Sequence, residues 1–150
     1  MRTIFSKLFF LPCLFSLISC KDESLSSGKK EITEHDYEEI IDREIGWNDL
    51  FSIGIPQYFV YFYSPTCSHC KEIKDVIIEY ALEDERMHFV KFSDEVTVAP
   101  YIDNTIGATC IDDVAILGTP SLIEIINGAV SNNMAGAKTI LDFLNLKLPD

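Results

Sequence analysis

Cys67 and Cys70 stand two residues apart in YFYSPTCSHCK, residues 61–71, with His69 between them. Three chemistries fit such a pair: thiol–disulfide exchange, a share in a soft-metal site, or an inert buried pair. Exchange needs a thiolate, because the thiolate is the species that attacks a disulfide. If Cys67 opens a helix, the free backbone N–H groups and the helix dipole favour negative charge on its sulfur. In established Cys-X-X-Cys centres this setting lowers a thiol from about 8.5 into a range of roughly 3.5–7.5. Cys70, one turn further in, is the natural resolving thiol. A hydrogen-bond donor on His69 near the Cys67 sulfur would stabilise the thiolate further and make the disulfide more oxidising. The metal reading is weaker. Cys67, Cys70 and His69 are soft ligands suited to copper(I) or zinc, but a closed site wants four ligands. His35, His88 or Cys110 would have to complete it, and no spacing suggests this, so no metal site is assigned.

The elements around the pair must position it. Thr33 or Asp36 can cap a helix with Asp36 or Glu39 as its third-position partner. Tyr37, Ile40, Ile41 and Ile45 then share a helical face. Residues 57–63, QYFVYFY, are almost continuously apolar and read as a central strand buried on both faces. After Ser64-Pro65-Thr66 the period changes, and Ile73, Val76, Ile77, Tyr80 and Ala81 mark the inner face of a helix beginning at the cysteines. Residues 87–92 form a second strand. Residues 94–118 hold a short helix and a loop carrying Cys110. Residues 121–126, SLIEII, are a strand, Asn127-Gly128 a hairpin turn, and 129–133 the return strand. A closing helix spans 137–146, with Ile140, Leu141, Phe143 and Leu144 inward. This order predicts one α/β domain with a mixed β-sheet.

A second signal is Gly118-Thr119-Pro120, just before the SLIEII strand. With the cysteine pair after a buried strand, and a terminal helix after the hairpin, the sequence resembles the thioredoxin superfamily over residues 33–148. The resemblance implies the thioredoxin fold, a central mixed sheet flanked by helices. It implies a redox disulfide between Cys67 and Cys70, a cis Pro120 beside it, and Thr119 offering backbone hydrogen bonds to a substrate peptide. Catalysis would fall to Cys67 as nucleophile, Cys70 as resolving thiol and His69 as tuner, without an organic cofactor. Lys91 matches a lysine often found near the site. The chain also departs from the family. Tyr61 stands where thioredoxins carry a proton-moving aspartate, Thr66 where they carry tryptophan, and Ser68-His69 where they carry Gly-Pro. A Cys-x-His-Cys centre is closer to the extracytoplasmic disulfide oxidases, but residues 71–119 are too few for the helical insertion of that group.

The N-terminus reads as a targeting segment. Arg2 and Lys7 precede an apolar run from Leu8 to Ile18, too short to span a bilayer and suited to a signal peptide. Leu17-Ile18-Ser19-Cys20 resembles the lipobox of bacterial lipoproteins. That implies a signal peptide over 1–19, a lipidated, palmitate-bearing Cys20, a flexible tether over 20–32 and a domain over 33–150. The expected location is the extracytoplasmic side of a bacterial membrane, in the cell envelope, where disulfides persist. A net charge of −12, from 12 basic and 24 acidic residues, argues against nucleic acid as a partner. The expected partners are protein thiols or disulfides and a redox partner protein, with the membrane held through the lipid and the domain monomeric. Two other readings are a surface binding module with a structural disulfide and a copper or zinc delivery protein. Cys110 has no partner by count and is expected to be a small buried hydrophobe.

Overall fold

The computed structural model describes residues 33–148; the expected signal peptide, the expected lipidation site Cys20 and the whole expected tether lie outside them. Strand β1, Gln57–Tyr63, is buried along all but its first residue. Its side chains alternate between two cores. Phe59, Tyr61 and Tyr63 enter one, with Cys70, Ile73 and Ile77. Tyr58, Val60 and Phe62 enter the other, with Trp47, Leu50 and Ile116. A strand with an apolar layer on each face cannot show polar alternation, which is why QYFVYFY reads as a continuous run.

Helix α1, Ser68–Glu83, crosses from β1 to the parallel strand β2, Met87–Lys91. The hairpin of β3, Ser121–Ile126, and β4, Ala129–Ala135, adds antiparallel pairs, giving the order β2-β1-β3-β4. Asn127 (φ 52) and Gly128 (φ 78) both occupy the left-handed region that a two-residue hairpin turn of this hand requires. A register shift between Glu124 and Ile125 inserts one extra residue into β4, which ends at Ala135, two residues past its expected end. Helix α2, Ala137–Leu144, closes the chain against α1 and the hairpin. It is shorter than expected, and Phe143 stays 40% exposed while Ile140 and Leu141 are buried.

The layers are unequal. One face of the sheet carries α1 and α2. The other is covered by 3-10 turns, at Trp47–Asp49, Asp103–Thr105 and Ile111–Asp113, and by the irregular chain between them. Among the described residues no helix is long and apolar enough to cross a membrane.

The first helical segment departs from expectation. Tyr37–Arg43 is a 3-10 helix with a non-helical break at Ile40. The Asp36–Glu39 capping box forms as the sequence predicts. With three residues per turn, however, the inward set is Tyr37, Ile40 and Arg43. Ile41 is turned out and is 68% exposed. The inward set is used: Tyr37 stacks on Tyr63 with ring centroids 3.9 Å apart, and Ile40 is fully buried. The Arg43 guanidinium donates to the carbonyls of Ala81 and Asp84 at the end of α1, where helical carbonyls lack backbone partners.

Candidate functional site

The site lies where β1 ends. The turn Ser64-Pro65-Thr66 reverses the chain, held by the Cys67 N–H donating to the Ser64 carbonyl at 3.1 Å. Cys67 is the N-cap of α1 in extended backbone (φ −75, ψ 122). Its sulfur takes the place that a Ser or Asp oxygen takes in an ordinary cap. The Cys70 N–H donates to it at 3.2 Å. A free helix N–H is thereby satisfied by sulfur, and the bond strengthens if the sulfur carries charge.

The antiparallel pairing of β1 with β3 brings in the second motif. Phe62 stands opposite Ser121, so residues 119 and 120 lie beside the turn that leads to Cys67. The Thr119–Pro120 peptide bond is cis, as the resemblance implies. Pro120 is buried, and its carbonyl accepts from the Gly136 N–H at 2.9 Å. The Thr119 carbonyl oxygen lies 3.3 Å from the Cys67 sulfur and accepts from its thiol.

The two thiols, both free, are unlike each other. Cys67 is half-buried and Cys70 has no exposed surface. Burial alone pushes the Cys67 thiol up. Hydrogen bonds from the Cys70 and Thr119 side chains, and from the backbone at Cys70 and His69, outweigh it and leave Cys67 below an ordinary thiol. Burial, followed by the bond to Cys67, pushes Cys70 up to about 11. The arrangement supplies one accessible thiol biased toward thiolate and, beneath it, one that keeps its proton.

His69 reaches this site through its backbone. Its imidazole is 72% exposed and faces the Glu72 carboxylate at 3.5 Å. Sequence reasoning placed a side-chain donor at the Cys67 sulfur; the first turn of α1 instead carries this ring outward along the helix surface. Lys91 pairs with Tyr63 in the β1–β2 register and is exposed. With Lys71, Lys74, Asp75, Glu44 and Tyr37 it lines a cavity of about 540 Å³ next to Pro65. Cys110 is exposed rather than buried, and its thiol donates to the Asp113 carboxylate at 3.2 Å. It caps the Ile111–Asp113 turn, so it lies at the surface of the layer that covers the sheet. Among the described residues no three His, Cys, Asp or Glu side chains gather where they could hold a metal ion.

Tyr37 is the neighbour that sequence reasoning missed. It sits 30 residues before Cys67, and only its stacking on Tyr63 brings it against the core that holds Cys70. Its place on the inner face of the first segment was legible; its proximity to the thiols was not.

The fold and the paired cysteines at the start of α1 define a thiol–disulfide oxidoreductase. The chain belongs to the thioredoxin family, whose sequence description, Thioredoxin, matches residues 42–146. Similar solved structures include thioredoxin from Plasmodium falciparum, 18% identical over 68% of this chain and 94% of that one, with a TM-score of 0.44. Mitochondrial thioredoxin 3 from Saccharomyces cerevisiae is 15% identical over 71% and 93%, at 0.45. Spinach chloroplast thioredoxin f is 17% identical over 73% and 88%, at 0.45. No curated protein matches the chain.

Proposed function

We propose that this protein exchanges disulfides with protein substrates in the bacterial cell envelope, through the Cys67-Ser68-His69-Cys70 centre, while anchored by lipid on Cys20. The observation that carries the redox reading is the division of labour between the thiols. An accessible Cys67 sulfur receives the Cys70 N–H at a helix start, and Cys70 lies buried beneath it.

In the reducing direction the Cys67 thiolate attacks one sulfur of a substrate disulfide. The Cys67–substrate bond forms, the substrate disulfide breaks, and the released sulfur takes a proton. Cys70 then attacks Cys67. The intramolecular disulfide forms, the mixed disulfide breaks, and the second substrate sulfur leaves as a thiol carrying the equivalent of the Cys70 proton. Two electrons pass from the pair to the substrate. The oxidising direction is the same sequence reversed.

Thr119 and Pro120 form the substrate side. The Thr119 carbonyl accepts from Cys67 only while Cys67 is a thiol. Once Cys67 is ionised or bonded to sulfur, that carbonyl is free to accept a substrate peptide N–H. His69 tunes Cys67 through its backbone N–H, with its exposed ring adding a solvent-screened charge when protonated.

The anchor reading rests on the Leu17-Ile18-Ser19-Cys20 motif and the apolar run before it. The test uses the full chain expressed in bacteria. Cys70→Ser should accumulate mixed disulfides with envelope proteins, and Cys67→Ser should accumulate none. Absence of trapped partners in Cys70→Ser would defeat the exchange reading. Incorporation of tritiated palmitate should be lost in Cys20→Ser; retention would defeat the lipid assignment alone. The reduction potential then gives direction. Thioredoxin's established value of about −270 mV marks a reductase and about −120 mV a strong oxidant.

A further inference from the structure

Tyr61 is fully buried in the middle of β1, and its hydroxyl has no hydrogen-bond partner. Its two tyrosine neighbours on the strand are satisfied. Tyr58 donates to the Leu50 carbonyl at 2.8 Å, and Tyr63 to the Glu44 carboxylate at 3.0 Å. An unpaired buried hydroxyl is costly, and phenylalanine would fill the same space without it. The ring is well held, edge-on to Phe89 at 5.8 Å, so the hydroxyl is fixed rather than free to seek water.

The unpaired hydroxyl lies in the core cluster that also holds Cys70. Burial raises Tyr61 far above an ordinary tyrosine, followed by the nearby Tyr37, Cys70 and Cys67, so it stays neutral. Cys70 acts on it from within that cluster, yet the hydroxyl makes no hydrogen bond. Other titratable groups close in from each side. Tyr37 comes from the first segment, with Asp75 and Tyr63 acting on it in turn. Cys67 comes from the start of α1, and Thr119 acts on Cys70 from the loop before β3.

We propose that Tyr61 is a positioning residue for the resolving step: its hydroxyl completes its missing hydrogen bond by donating to the Cys70 sulfur as that thiol ionises beneath the mixed disulfide. The proposal rests on the redox reading above. A neutral tyrosine can donate but cannot accept the Cys70 proton as a carboxylate at this place would. That proton therefore leaves through solvent to the departing substrate sulfur. The Cys67–substrate bond breaks, the Cys67–Cys70 bond forms, and the charge that grows on Cys70 meets a fixed donor that costs no reorganisation.

The test follows the reduced full chain carrying Cys13→Ser, Cys20→Ser and Cys110→Ser, so that Cys67 and Cys70 are its only thiols, mixed with dithiobis(nitrobenzoate) in stopped flow. Attack by Cys67 releases one coloured thiolate, and closure by Cys70 releases the second. In Tyr61→Phe the first phase should be unchanged. The second should slow about tenfold, the worth of a hydrogen bond to a charged group, and its pH profile should move upward. Tyr58→Phe is the control, because it removes a satisfied hydroxyl from the opposite face of the sheet; its second phase should match the wild type. A second phase in Tyr61→Phe within about twofold of wild type overturns the proposal. So does equal slowing in both variants, which would mark a packing effect. If the wild type shows no first phase at all, the redox reading fails, and this inference falls with it.

Discussion

The Cys67 thiol donates to the carbonyl oxygen of Thr119 across 3.3 Å, joining residues 52 apart in the sequence. That contact opposes the Cys70 N–H, which lies 3.2 Å from the same sulfur. A carbonyl acceptor favours the protonated thiol, and an N–H donor favours the thiolate. The same loop also offers the Thr119 side chain, which together with the Cys70 side chain and the backbone N–H groups tips the balance toward ionisation.

Thr119→Val tests that balance. It keeps the shape and the carbonyl and removes the hydroxyl donor. Alkylation of Cys67 by iodoacetamide at pH 7 should slow about tenfold, the low end for the loss of one hydrogen bond to a charged acceptor. Circular dichroism should remain unchanged. An unaltered alkylation rate would mean that the backbone N–H groups alone set the reactivity of Cys67.

His69→Ala separates the backbone of His69 from its ring. The variant keeps the N–H and loses only an exposed imidazole facing Glu72. Removing an exposed ring that can carry a positive charge near a thiolate makes the disulfide, if anything, less oxidising, so any change in potential should be toward more negative values. An exposed charge is strongly screened, and the shift should stay below about 30 mV. Equilibration against glutathione measures it. A larger shift would require the ring to swing onto the sulfur in solution.

Acid stability should depend on His88. Both of its ring nitrogens are buried without partners. Burial first, and then the positive Arg43, lowers its affinity for protons in the folded state. The unfolded chain therefore binds the proton more readily. Stability from this source is complete above the unfolded value of about 6.5 and is lost as pH falls through it. His88→Phe should flatten the fall in urea midpoint between about pH 7 and pH 5. An unchanged slope would assign that acid loss to other groups.

Much of this molecule was legible from local pattern. The continuous apolar run 57–63, the change of period after Pro65 and the Asn127-Gly128 turn gave β1, α1 and the hairpin at close to their observed bounds. Each is decided by residues within a few positions of one another. The first segment was less legible, because Tyr37, Ile40, Ile41 and Ile45 fit an α-helical face while the chain adopts three residues per turn. Packing selects that geometry. Tyr37 must meet Tyr63, and Arg43 must reach the open carbonyls of α1.

The sequence by itself determined the fold class and the identity of the two thiols. It also determined that a Thr-Pro pair precedes the hairpin. Tertiary structure alone decided what surrounds them. The β1–β3 register brings Thr119 to Cys67, the outward turn of α1 takes the His69 ring away, and the two-faced core leaves the Tyr61 hydroxyl unpaired within the cluster that holds Cys70. The reason is physical. Spacing along a helix or strand fixes which residues share a face, but a sulfur's charge depends on donors, acceptors and burial contributed by segments far apart in the chain.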